Sequence, residues 1–254
     1  MHDWENSMST AALPEDATPA LSEAQRLLYT FTAPSRTMAD LRRNASWWVP
    51  WLLISVASIA FVYALDKRVG WGQVMETQIQ ANPKSAEKMD KMAPEQREKI
   101  MKIQETSARV MGYLSPVTAL IALVVVAGVL LGLFNFGFGT KLSFKELMGV
   151  TAYGFLPSIL STLLTIVVLF FVEPGAFDLK YPVATSLGYF VPGTMPFVKT
   201  LLGAFDVFTL WQIFLLAVGI AQLSRLKVKT GTAFATIFSM VFLFKLGAAA
   251  LGSM

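Results

Sequence analysis

Two charged side chains lie inside the apolar runs of this chain, Asp206 and Lys245, and their opposite signs make them the first candidates for chemistry. A charge in hydrocarbon costs about 2.5 to 3.5 kcal/mol on insertion scales, so each calls for compensation. Asp206 lies six residues after the start of a run that opens near Thr200, and Lys245 six residues before the end of a run that closes at Leu251. At the helical rise each sits ~9 Å in from the same face, and antiparallel neighbours bring them level. An intramembrane ion pair is one reading. In a second, Asp206 caps or extends a helix start, where the dipole favours an acid, while Lys245 snorkels to the surface. A transport or catalytic role for either residue is a third.

Nothing around them completes a catalytic set. The chain has no cysteine and a single histidine, His2, which excludes thiol chemistry, disulfides and the usual Cys/His zinc sites. Ser239 is six residues from Lys245 on the same run, the wrong spacing for a lysine-activated serine. Zinc-protease motifs and phosphate-cradling glycine loops are missing. Neither an enzyme nor a cofactor is expected.

The elements that must position these residues are membrane spans. Mean hydropathy is +0.54, with 54% hydrophobic and 15% charged residues, well outside soluble usage. The polar stretch 1–25 reads as a disordered tail rather than a secretory leader, since it carries acids and no apolar segment. The remainder, 26–254, reads as one membrane domain. Around Pro34, with Met38 and Leu41 on one face and Arg42 and Arg43 beside it, the pattern suggests a short interfacial helix; a plain basic linker is the alternative.

Five spans are expected, at about 47–65, 116–138, 147–172, 200–223 and 232–251, giving an all-α polytopic protein. Trp47, Trp48 and Trp51 mark the entry of the first. The loop 66–115 holds nine Lys/Arg against seven Asp/Glu, and from Pro94 it reads as a helix running into the second span. Gly128 and Gly132 in that span suit close helix approach, more readily within one protomer than in a dimer. In the third, Pro157 leaves the carbonyl of Tyr153 without its donor, so a kink is expected near Gly154, with Ser158, Ser161 or Thr162 as substitute donors. The Pro-rich stretch 173–199 reads as an ordered or membrane-hugging loop.

Five spans put the termini on opposite sides. Arg26, Arg36, Arg42, Arg43, Lys141, Lys145, Arg225, Lys227 and Lys229 then cluster on one side, against Lys180 and Lys199 in the late outer loop, which favours a cytoplasmic N-terminus and an outer C-terminus. A net charge of +4 without basic-aromatic clusters argues against nucleic acid.

Tyr153, Gly154 and Pro157 in TAYGFLP, and FDVFTLWQIFLLAVGIAQLSRLK from Phe205 to Lys227 with Trp211 inside it, resemble the third and fourth spans of the Ypt-interacting protein (Yip) domain family. FTAPSRTM before a Trp-rich first span and the charged PEQREK stretch are similar to its bacterial branch. The likeness covers roughly residues 30–250 and implies five helices with a cytosolic N-terminus. It implies a trafficking-like role, with Rab-type GTPase partners, for eukaryotic members. The absence of a long N-terminal cytosolic domain and of an acidic DLYGP-like signature puts small-GTPase binding in doubt here. The expectation is a scaffold or membrane-organising protein of a bacterial inner membrane, contacting lipids and membrane-protein partners or a second copy. The alternative is a small transporter or lipid-handling protein with its site among Asp206, Lys245, Asn135, Gln212 and the Pro157 kink.

Overall fold

A computed structural model describes residues 19–80 and 83–253; most of the expected tail lies outside them. The described chain starts its first helix early. Ser22 accepts from the Gln25 amide while the Gln25 side chain accepts from the Ser22 amide, a capping box that opens α1, Glu23–Thr32. Residues 21–25, expected as tail, are therefore bonded into the folded part. Pro34 opens α2, Pro34–Asp40, so a helical hairpin stands where one interfacial helix was expected.

Among the described residues, four segments have the length and hydropathy of membrane spans: α3, Trp48–Arg68; α7, Ser115–Phe138; the pair α8, Phe144–Gly154, and α9, Pro157–Phe171; and α12, Thr230–Ser253. Between α3 and α7 lie α4, Trp71–Gln80, α5, Pro83–Asp90, and α6, Pro94–Tyr113. The 66–115 segment is thus largely helical, and only Leu114, at φ −81° and ψ 6°, separates α6 from α7.

The expected fourth span is split. Its apolar sequence forms α10, Pro196–Leu202, and α11, Val207–Leu223, with a break from Gly203 to Asp206. At 17 residues α11 is ~26 Å long, short of a hydrocarbon core of ~30 Å. Much of it is enclosed. Ile213, Leu223 and every residue from Leu215 to Ala221 are buried, against α8, α12, α2 and α9. The surrounding helices cover much of its surface, leaving Val207 and Phe214 exposed.

The main core joins Leu123, Ala127, Leu130 and Phe134 of α7 to Leu147, Val150 and Tyr153 of α8, the inner face of α11, and Ala233 and Ile237 of α12. Met38 and Leu41 of the hairpin region belong to it. A second cluster, Val62, Leu65, Trp71, Val74, Leu169 and Phe177, joins the ends of α3 and α9 to α4. There Arg68 reaches the carbonyls of Leu169 and Phe170, putting a cation at the C-terminal end of α9. The 66–115 segment and the loop after α9 thus share one end of the bundle.

Gly128 and Gly132 are not used as expected. A β-carbon at either would meet nothing within 4 Å, so this face of α7 is open rather than packed inside the protomer.

Candidate functional site

Polar groups gather where the hairpin and α8 meet α11. Pro157 starts α9, and the chain turns through Phe155 and Leu156, as the missing N–H requires. The Tyr153 carbonyl is satisfied by the Leu156 amide at 3.2 Å, not by Ser158, Ser161 or Thr162; a tight backbone turn supplies a nearer donor than any side chain. Gly154 then lies against Leu216, whose Cδ2 would stand 2.7 Å from an added β-carbon. Gly219 answers it one turn along α11, against Val150. Glycine on each helix thus lets α8 and α11 approach closely, which is the structural reason for the glycine in TAYGFLP.

Tyr153 is fully buried and donates its hydroxyl to Glu23 Oε2 at 2.5 Å. Glu23 also receives Arg26 Nη1 at 3.3 Å, and Arg26 binds Asp40 Oδ2 through Nε and Nη2, both at 2.7 Å. Arg26 is 2% exposed and Asp40 6%. The Leu21 amide closes on Asp40 Oδ1 at 3.3 Å, and the buried hydroxyls of Thr30 and Thr37 donate to the Arg26 carbonyl. Burial works against the Arg26 charge, but the hydrogen bond and charge of Asp40, with Glu23 behind them, outweigh it and raise the guanidinium above its ordinary value. The hairpin is thereby tied shut and tied to α8. Trp211 adds an edge-on contact with Phe31, ring centroids 5.5 Å apart, so three of the motif residues, Tyr153, Gly154 and Trp211, serve contacts of α8, α11 and the hairpin.

Glu23, Arg26 and Asp40 were not candidates in the sequence. The one local signal was the Ser22-to-Gln25 capping spacing, hidden in a stretch whose composition reads as tail. Nothing in the sequence links Glu23 to Tyr153, 130 positions away.

Asp206 is the N-cap of α11. Its Oδ1 accepts from the Thr209 amide at 2.8 Å and its Oδ2 from the Thr185 hydroxyl at 2.6 Å. Paired backbone bonds, Leu187 amide to Phe205 carbonyl and Val207 amide to Thr185 carbonyl, hold the break to the preceding loop. No ion pair within 4.0 Å joins Asp206 to Lys245 among the described residues; Lys245 instead lies close enough to Lys180 for its charge to act there. Asp206→Ala is expected to cost about 1 to 2 kcal/mol through the lost cap, with Asp206→Asn retaining most of it, as read by denaturant unfolding in mixed micelles.

Asn135 is engaged as well, whereas the buried hydroxyls of Thr151 on α8 and Ser115 at the start of α7 have no hydrogen-bond partner among the described residues. Asn135 accepts from the Leu142 amide and the Thr140 hydroxyl and donates to the Leu142 carbonyl, all within 2.9 Å, stapling the turn after α7, where Gly139 supplies the left-handed φ of 62°. Ser239 lines an open, largely apolar groove with Leu133, Ala235, Thr236, Met240 and Leu243.

Residues 28–249 match the family model described as the Yip1 domain. Comparison with the curated proteins and with the solved structures gives no significant match.

Proposed function

This chain belongs to the Yip1 domain family, a non-enzymatic membrane family, and we propose that it is a membrane-organising scaffold of the bacterial branch. In this reading α3, α7, α8–α9, α11 and α12 make five spans of an inner-membrane protein. The N-terminus is cytoplasmic and the C-terminus lies outside. The observation that carries the reading is how the polar side chains in and around the spans are spent: Arg26, Asp40, Glu23, Tyr153, Asn135 and Asp206 all bind other parts of the same chain. Such contacts hold a shape. They leave the outer faces, among them the open glycine face of α7, for lipids, other membrane proteins or a second copy. Small-GTPase binding is not part of the proposal.

Affinity capture from native membranes, with Lys245→Ala alongside, tests it. A scaffold returns a reproducible set of membrane-protein partners. If the variant loses them only as its own abundance falls, Lys245 is structural; loss at unchanged abundance makes it a contact. Solute flux through proteoliposomes of the purified chain would overturn the scaffold reading in favour of transport.

A further inference from the structure

Two lysines share a tyrosine at the end of the bundle that carries the loop after α9, and a third, on the helix packed beside them, lies near enough for its charge to act on one of them. Lys180 comes from that loop, Lys199 from α10 and Lys245 from α12. Tyr181 is the floor between the first two: Lys199 Nζ stands 4.6 Å from its ring centroid and Lys180 Nζ 5.6 Å, and its hydroxyl donates to the Lys199 carbonyl at 3.1 Å. Lys180 Nζ also reaches the Thr200 hydroxyl at 3.2 Å. The third lysine is brought in by α12, which packs on α10 and holds Phe238 and Phe242 against Phe205.

One carboxylate serves this cluster, and it is occupied. Asp178 Oδ1 accepts from the amides of Lys180 and Tyr181, and Oδ2 pairs with Lys199 at 3.3 Å. Neither Lys180 nor Lys245 has a carboxylate within 4.0 Å among the described residues. Burial, followed by the Lys245 charge, with Lys199 adding to it against Asp178, lowers the Lys180 pKa from its ordinary value, a sign that positive charge here is crowded. The chain holds these cations together at a cost that an anion would relieve.

The surroundings specify which anion. Tyr189 and Phe190 in the loop, Phe197 on α10, and Leu243 and Phe244 on α12 are exposed, Phe190 at 70% and Phe244 at 76%. A free phosphate gains nothing from that apolar skirt, whereas acyl chains lie along it while the headgroup meets the lysines. We propose that Lys180, Lys199 and Lys245, with Tyr181 as floor, seat the phosphate of an anionic phospholipid headgroup at this end of the bundle.

The test uses the full-length chain in detergent, offered phosphatidylglycerol, phosphatidylcholine or inorganic phosphate, with bound lipid counted by native mass spectrometry at low and high salt. Phosphatidylglycerol should be retained over phosphatidylcholine, less so at high salt. Lys180→Gln with Lys245→Gln should lower its retention about fivefold for each lysine removed, whereas Lys180→Arg with Lys245→Arg should keep it. Lys141→Gln with Lys145→Gln, at a different loop, should leave it unchanged. Equal retention of the two lipids by the unaltered chain overturns the proposal even if the Gln variant does not fold. So does a folded Gln variant that binds like the parent, or inorganic phosphate that displaces the lipid at equal concentration.

Discussion

Arg26→Met is expected to destabilise the N-terminal hairpin and its docking by about 3 to 5 kcal/mol. The substitution keeps the length and apolar stem of the side chain but leaves the Asp40 carboxylate, 6% exposed, bonded to the Leu21 amide without its buried guanidinium. An unpaired buried charge costs more than the pair was worth, which is why removing one partner weighs so heavily. Removing both should not. Arg26→Met with Asp40→Leu replaces the pair by apolar volume and should recover most of the loss, because buried pairs are commonly neutral against well-packed hydrophobic residues. Denaturant unfolding in mixed micelles, with amide exchange followed across Glu23–Thr32 and Pro34–Asp40, separates the cases. A single-variant cost below ~1 kcal/mol would mean that apolar contacts such as those of Met38, Leu41 and Phe31 hold the hairpin, rather than the ion pair.

Gly219→Ala is the second large effect, and its sign is a contest. Alanine in place of glycine gains about 0.5 to 1 kcal/mol in a helix interior. Against this, the new methyl would overlap Cγ1 of Val150 and stand 2.9 Å from Cγ2 and 3.2 Å from Cβ, so the whole branched side chain is in the way. Valine on a helix is held to one main χ1 rotamer and has no easy retreat, so α8 and α11 must separate. Overpacking of this kind costs about 1 to 3 kcal/mol, enough to reverse the propensity gain. Val150→Ala in the same chain should restore stability, and Gly128→Ala, which meets open space, should stabilise slightly. Destabilisation that survives Val150→Ala would place the conflict elsewhere.

These two sites mark where sequence reading stops. The apolar runs behind α3, α7 and α12 were legible to within a few residues because hydropathy is a local sum, and Pro157 announced the α8–α9 break through its missing N–H. The split of the fourth run was not. Leu201 to Leu223 carries no charge apart from Asp206, so the acid drew attention as an intramembrane charge when it follows the end of one helix and caps the next. Gly203 and the spacing of Asp206 to Thr209 were the available signs. The Arg26 network was beyond reach for a different reason: Asp40 is 14 positions away and Tyr153 much farther, and a contact made by tertiary packing leaves no periodic trace. Family resemblance pointed to Tyr153, Gly154 and Trp211 without saying why, and the packing of α8, α11 and the hairpin supplies the reason.

The proposed architecture depends most on α11, whose 17 residues make it the shortest of the five proposed spans. The chain contains no cysteine, so single cysteines can be introduced at Lys141, Ala184 and Lys227, all exposed, and probed with an impermeant maleimide. If α11 crosses the membrane in the proposed orientation, the cysteine at 184 labels in intact spheroplasts, and those at 141 and 227 label only after permeabilisation. Labelling of 184 and 227 from the same side would contradict it.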